Sequence, residues 1–344
     1  MVREKHDPLI RVSRRAMACP FEVCFPAARC EDGTQLAIEA LDLVDTLEKQ
    51  LSFFQPTSLI GAINRSAAHA PVEVEPWLFD LLALATRLNE ETGGAYDITS
   101  APLWEAWGFA RRAGKIPSDD QLAEARSHVG SHLLELDSDR RTVRFRSPGV
   151  RISLGSIGKG YALDVCGRRL LESGMDDFLL HGGQSSVLAR GFLERRKGDR
   201  SNLPERPEGC CAQIGPVPFS PWEIGISDPR RPGRRLGIVR LHDRALGTSA
   251  SQFQSFRHRG RRYGHVLDPR TGRPADGVLS TTVVAPTAAL ADALSTAFHV
   301  MGSADSLAYC RTHPEIGMVM VCPGHRGADA EFFSAGLDEN ELSL

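Results

Sequence analysis

The run Tyr263–Gly302, YGHVLDPRTGRPADGVLSTTVVAPTAALADALSTAFHVMG, holds three signals in one unit. His265, Asp268, Arg270 and Thr271 surround a Pro-Gly turn. A β-branched run from Leu279 to Ala285 follows, the composition of a buried strand. Residues 288–301 then read as a helix whose one carboxylate, Asp292, lies among small and apolar residues. Asp292 and Thr296 are four apart and share a helix face. A carboxylate and a hydroxyl there suit a hard cation such as Mg²⁺, completed by backbone carbonyls, water and phosphate. The same spacing also fits an acid favoured by the helix dipole and a threonine bonded to its own helix. His265, at a strand end beside Asp268, reads either as a general base or as a satisfied half-buried histidine. Loop, strand and helix together form the floor of a site.

Working upstream, Val150–Leu154 reads as a strand, followed by Gly155-Ser156-Ile157-Gly158-Lys159-Gly160 and a helix through Leu171. Glycines let backbone approach a ligand closely, and the helix N-terminus offers free N–H groups to a phosphate. Lys159 adds a point charge. The run is not a Walker A loop, and tight packing explains such a turn equally well. Farther upstream, Gly93-Gly94 precede Ala95-Tyr96-Asp97-Ile98-Thr99-Ser100, which suits a binding loop, with Tyr96 readable as core instead.

The remaining elements follow from periodicity. Helices are expected over 35–54 and 76–92, and Ser118-x-x-Gln121 matches a capping box. Residues 134–137 and 142–146 read as a hairpin. Strands are expected over 19–26, 178–181, 186–189, 222–226, 236–241 and 244–247, with 248–251 as a hydroxyl-rich turn. Residues 317–322 and 331–333 close the set. The aperiodic segment 192–221 reads as a surface insertion.

Composition bounds the function. The 344 residues carry a formal net charge of −2, with 42% hydrophobic and 24% charged residues. That balance gives no electrostatic case for nucleic acid or an anionic membrane. No run approaches the roughly 18–20 apolar residues of a membrane span. The apolar stretch expected after Arg14-Arg15 in an export signal is broken by Pro20, Glu22 and Pro26, so the sequence as it stands reads as cytoplasmic. A different true start would allow a periplasmic or membrane-associated protein. Eight cysteines without a C-x-x-C pair read as reduced thiols.

Taken jointly, TGGAYDITSAPLWEAWGF (92–109), LGSIGKGYALD (154–164), HGG (181–183), GTSAS (247–251), RRYGHVLDPRTGRPAD (261–276) and APTAALADALSTAFHVMG (285–302) resemble the ApbE family of FAD:protein FMN transferases. The resemblance implies an α+β, ApbE-like (T-fold-related) domain with mostly antiparallel sheets and packed helices. A single domain is expected over 17–336, with an N-terminal extension over 1–16 and a loose tail over 337–344. The implied activity is Mg²⁺-dependent transfer of FMN from FAD to a Thr or Ser hydroxyl of an acceptor protein, releasing AMP. Asp292, Thr296, Ser295 and Ser156, the last through its carbonyl, take the positions of metal ligands. Met17, Ala95, Tyr96, Asp97, Ser153, Lys159 and Val266 take positions that contact FAD. His265 matches the histidine of the transfer step, with Asp292 as the other candidate base. FAD and the acceptor protein are the implied partners, and a homodimer is compatible.

Three residues depart from the family pattern. Ser153 stands where relatives usually carry Asp, Gln184 replaces an Asp after the Gly-Gly pair, and Ala250 replaces a glycine. They keep two alternatives in view: an FAD-binding protein that has lost transferase activity, and an FAD pyrophosphatase releasing FMN and AMP.

Overall fold

A computed structural model describes residues 8–111, 113–193, 221–231, 233–251, 254–324 and 330–344. Its centre is an eight-stranded sheet made of Leu9–Ala16 (β1), Cys19–Pro26 (β2), Phe178–Gly182 (β3), Ser186–Arg190 (β4), Ala245–Ala250 (β5), Ser280–Ala285 (β6), Gly317–Cys322 (β7) and Glu331–Ala335 (β8). The spatial order is the chain order, and every neighbouring pair is antiparallel. The fold is therefore α+β with an antiparallel sheet, as the family resemblance implied.

Alternation sorts the two faces of this sheet. Phe21, Val23, Phe25, Phe178, Leu180, Val283 and Met318 join the main core beneath the helices. Val187, Ala189, Leu246, Val284 and Val319 face the other way, against Trp222, Ile226, Val239 and Leu241 of a small three-stranded sheet. With both faces covered, β6 and β7 are buried along their whole length. This is why they read as continuous apolar runs and not as alternating strands.

The helices arrive on long excursions between adjacent strands. Gly33–Leu51 (α1), Leu59–Ser66 (α2), Pro76–Glu91 (α3), Ala101–Ala106 (α4), Asp119–Ser127 (α5) and Gly158–Glu172 (α6) all lie between β2 and β3. Ala288–Thr312 (α7) connects β6 to β7 and packs on β5, β6 and α6. The sequence periodicity puts Leu36, Leu41, Val44, Leu47 and Leu51 on one face of this helix; α1 buries the last four, and Leu36 is half-buried. The capping box at Ser118 and Gln121 is present in both directions.

Several expectations are corrected. Residues 150–154 form no strand. Their backbone is satisfied by a side chain and a loop instead: Asn64 Oδ1 accepts the Ile152 N–H, Asn64 Nδ2 donates to the Ile152 carbonyl, and Ser153 N–H reaches the Ile98 carbonyl. Residues 248–250, expected as a turn, continue β5, because their hydroxyls pair with Thr282 of β6 and with α7. Residues 9–16, placed in an extension, form the edge strand β1, and Leu342–Ser343 of the expected loose tail pairs with Arg235–Leu241. The helix expected to end at Met301 resumes past Gly302, whose φ of 79° breaks the helical geometry. The expected insertion 192–221 falls almost wholly outside the described residues.

Candidate active site

The site lies where α7, α6 and the ends of β4 and β5 meet. Asp292 sits in the second turn of α7, 6% exposed. Its Oδ2 accepts the Gly160 N–H at 2.7 Å and its Oδ1 accepts the Ser186 hydroxyl at 2.7 Å. Burial raises its pKa, opposed by the charge of Lys159 and by these two hydrogen bonds. The carboxylate is thus held between the glycine turn and the sheet, with Lys159 as the cation acting on it. Lys159 Nζ donates to Ser185 Oγ.

The face of α7 carrying Asp292 continues as a cluster of hydroxyls. Ser295 Oγ and Thr296 Oγ1 each donate back to the Asp292 carbonyl, at 2.8 and 3.3 Å. Both hydroxyls also lie within hydrogen-bonding distance of Ser249 Oγ on β5, 2.9 and 3.1 Å away. Thr281, directly across from Ser249 in the sheet, is fully buried, and its hydroxyl has no partner among the described residues. Asp292, Ser249, Ser295 and Thr296 therefore gather hard oxygen donors in one place, with the unsatisfied Thr281 hydroxyl on the neighbouring strand.

Ser156 closes the site from the glycine turn. Its hydroxyl donates to Tyr96 Oη at 3.2 Å. Tyr96 is fully buried, and its phenol is pushed well above the usual range, first by burial and then by the field of Asp292. The structure thus brings Tyr96, Ser156, Lys159 and Asp292 together, and Tyr96 belongs to the core as well as to the site.

Asp97 has a different role from its neighbour. Its Oδ1 accepts from the Thr99 N–H at 2.7 Å and from the Thr99 hydroxyl at 2.6 Å. Its Oδ2 accepts from the Ser131 N–H at 3.0 Å and from Asn89 Nδ2 at 3.1 Å. Both oxygens are committed to protein donors, so Asp97 ties the loop after Gly93-Gly94 to α3 and to the chain at Ser131. Ser153 Oγ similarly caps its own turn by accepting the Gly155 N–H at 3.4 Å.

On the loop between β5 and β6, His265 is fixed twice to one carbonyl. Its N–H and its Nδ1 both lie 3.0 Å from the Gln254 oxygen. An imidazole bonded to a carbonyl through Nδ1 carries its proton there, which leaves Nε2 with the free lone pair. Burial lowers the His265 pKa, with Lys159 adding to the effect against the Gln254 hydrogen bond. Val266 is buried beside it. Met17 and Ala18 form the two-residue turn joining β1 to β2, both with positive φ, 48° and 62°. That is the conformation of a primed hairpin turn, in which Asn-Gly is the usual pair. The adjoining Cys19 thiol, raised first by burial, feels both Lys159 and Asp292, which brings this turn to the site.

Sequence reasoning assigned no role to Ser186, Ser249, Thr281 or Gln254, and it offered the N–H groups at the start of α6 to a phosphate, whereas the Gly160 N–H is spent on Asp292. Nor did it single out His299, seven residues past Asp292 on α7. Both of its ring nitrogens lack a partner among the described residues, and burial lowers its pKa to about 4. Asp164 was also missed: it caps α7 by accepting the Ala288 and Ala289 N–H groups at 2.8 and 2.9 Å. Ser186 stands three residues past the Gly182-Gly183 pair and Ser249 within GTSAS, so a signal existed for both.

With this geometry in hand, the comparisons define the class. The model of the ApbE family matches residues 17–320, and the chain belongs to that family. A FAD:protein FMN transferase of Haemophilus influenzae is 29% identical over 315 residues, covering 88% of this chain and 84% of the relative. The Salmonella typhimurium protein of that name is 31% identical over 283 residues, covering 80% and 72%. Among solved structures, the ApbE protein of Thermotoga maritima matches with a TM-score of 0.79 at 27% identity, covering 94% of this chain and 96% of that one. The apo flavinyl transferase ApbE of Pseudomonas stutzeri gives 0.78 at 26% identity, covering 97% and 96%.

Proposed function

We propose that this chain transfers FMN from FAD to a Thr or Ser hydroxyl of an acceptor protein, with Mg²⁺ as cofactor and AMP as the leaving product. It is an enzyme of the ApbE type. The observation that carries the reading is the buried Asp292 carboxylate, bridged between Gly160 and Ser186 and facing Lys159. A buried carboxylate sharing a helix face with the Ser295 and Thr296 hydroxyls suits a site completed by a hard divalent cation. Asp292, Thr296, Ser295 and the Ser156 carbonyl would hold Mg²⁺. Bound there, it would offset the negative charge of the FAD pyrophosphate.

The chain's own groups then have separable tasks. Lys159, at the start of α6 where the Gly158 and Gly160 N–H groups are already held by the Leu154 carbonyl and Asp292, binds the pyrophosphate oxygens and stabilises the charge that grows on them. With Asp292 given to the metal, His265 is the base. Its Nε2 lone pair takes the acceptor hydroxyl proton, and its lowered pKa keeps the ring neutral for that purpose. The acceptor oxygen bonds to the phosphorus of the FMN half, the bond from that phosphorus to the bridging oxygen breaks, and AMP leaves with the electron pair. Ser153, capping its own turn, and Tyr96, fixed beneath Ser156, shape the flavin side. Met17, Ala95 and Val266 line it, and Asp97 holds the loop that presents Ala95 and Tyr96.

The test is incubation with FAD, Mg²⁺ and a native acceptor, followed by mass spectrometry. A covalent FMN adduct on Thr or Ser, with one AMP per adduct, is expected. Free FMN and AMP with no labelled acceptor would point to hydrolysis. Bound FAD with neither product would sink the transferase reading.

A further inference from the structure

On the opposite face of the sheet, away from α7, three side chains converge. Glu22 and Cys24 are two apart on β2 and so share a face, and His181 on β3 is the cross-strand partner of Glu22. Cys24 Sγ lies 3.2 Å from Glu22 Oε1, and His181 Nε2 lies 3.1 Å from the same oxygen. One donor atom from each of the three lies within 4.8 Å of the others.

We propose that Glu22, Cys24 and His181 form a metal site, distinct from the catalytic one, for a borderline divalent ion of the Zn²⁺ or Co²⁺ type. The donor set decides the class. One thiolate, one imidazole and one carboxylate select such ions over the hard Mg²⁺. Tetrahedral geometry at Zn–S of about 2.3 Å and Zn–N or Zn–O of about 2.0–2.1 Å places donors roughly 3.3–3.6 Å apart. Two of the three edges, at 3.2 and 3.1 Å, already approach that spacing. His181 Nδ1 is buried and has no partner among the described residues, so the protein has not closed this cluster as a finished hydrogen-bond network.

Access and charge permit entry. Glu22 and His181 keep 21% and 28% side-chain exposure, while Cys24 is buried behind them. Arg11 lies 3.9 Å from Glu22, but its side chain is 67% exposed and free to turn to solvent. On binding, the Cys24 thiol gives its proton to solvent, and the His181 proton passes from Nε2 to Nδ1 through solvent, so that the Nε2 lone pair takes the ion in place of the hydrogen bond to Glu22. The fourth position is left to water. Affinity therefore rises with pH.

The placement suggests what the ion does. β2 and β3 are the two ends of the excursion that carries Tyr96, Ser156 and Lys159, so an ion between them staples its neck. It acts through structure, and no catalytic step depends on it.

The test uses the full chain, reduced and stripped by chelator. Titration with Co²⁺ alone should give thiolate-to-metal charge-transfer absorption with one equivalent bound, and Zn²⁺ should raise the melting temperature. Cys24→Ser should abolish the band, and both Cys24→Ser and His181→Ala should weaken Zn²⁺ binding at least about 100-fold, the upper end of losses seen for mere outer-shell partners. Asp292→Asn should leave band and affinity unchanged, which separates this site from the catalytic one. A chain that binds no Co²⁺, or a band that survives Cys24→Ser, overturns the proposal. Should Cys24→Ser misfold by circular dichroism, His181→Ala decides: unaltered Zn²⁺ affinity overturns it.

Discussion

Asp292 and Gly160 join α7 to α6 by a 2.7 Å hydrogen bond, at a point where the two helices touch backbone to backbone. A Cβ on Gly160 would fall inside the Ala288 carbonyl. The glycine turn is thus glycine here for closeness to a helix, and the same closeness delivers the N–H to the carboxylate.

Gly160→Ala is expected to force the helices apart. The cost should be about 1–3 kcal/mol, the range for overpacking a tight contact. Urea denaturation reads the stability, and the rate of adduct formation reads the site. Gly158→Ala is the control. Its Cβ would meet only Leu51 Cδ1 at 3.8 Å, an ordinary contact. Equal losses for the two variants would refute the close-approach argument.

Asp292→Asn replaces an acceptor for two donors with a group that must donate at one of them. Flavin transfer should fall about 10²–10³-fold, the usual effect of removing one preorganised charge-stabilising group. The matching readout is Mg²⁺ titration of the residual rate. An unchanged rate at any Mg²⁺ concentration would remove Asp292 from the machinery.

The pH profile should report His265. Its folded pKa is lowered, so the neutral, base-competent ring survives to lower pH than in a free histidine. Transfer should rise with pH through an inflection below the ordinary value of about 6.5. Lys159→Met removes one of the causes and should move that inflection upward, along with a slower rate. The stability sign is the same: a histidine buried neutral favours folding above its unfolded pKa, and that contribution falls away as pH drops below it. A profile flat across this range would exclude His265 as the base.

Asp97→Ala is expected to act through stability. It strands the Thr99 and Ser131 N–H groups, each a buried donor worth about 1–3 kcal/mol when unsatisfied, while the Asn89 amide keeps its bond to the Tyr96 carbonyl. Thermal melts should drop sharply, and FAD affinity should fall as the loop loosens. Lost affinity with an unchanged melt would instead make Asp97 a direct flavin ligand.

Much of the fold was legible because local chemistry and tertiary fate agreed. Leu41, Val44, Leu47 and Leu51 mark α1, and Ser118 with Gln121 marks the start of α5. Reading failed where a side chain did the work of a strand. Val150–Leu154 has the composition of a strand, but Asn64 takes the hydrogen bonds a neighbour would have made. Thr248 and Ser249 look like a turn because they are small and polar, yet their hydroxyls are drawn to Thr282 and to α7. Leu9–Ala16 is rich in arginine because an edge strand faces water on one side, so it resembled a tail.

The site was legible in part for the same reason. Asp292, Ser156 and Lys159 sit in recognisable motifs, and the structure brings them together. Thr281 and Gln254 contribute only through a sheet register and a loop carbonyl, which no spacing along the chain encodes. His299 reads as one more residue of a helix until its burial is known.

The chain-order meander of β1 to β8 has an architectural consequence. Each strand needs only its predecessor in the chain as a partner, so the detours between strands are grafts onto an unbroken ladder. A graft can lengthen, shorten or change chemistry without shifting the register of the trunk. The stretch 27–177 is the largest such graft, and it brings Tyr96, Ser156 and Lys159, while α7 brings Asp292 on another. Contacts carried by one branch can therefore drift while Asp292 on the other stays constant, and chimeras exchanging that stretch between relatives are a rational route to new acceptors.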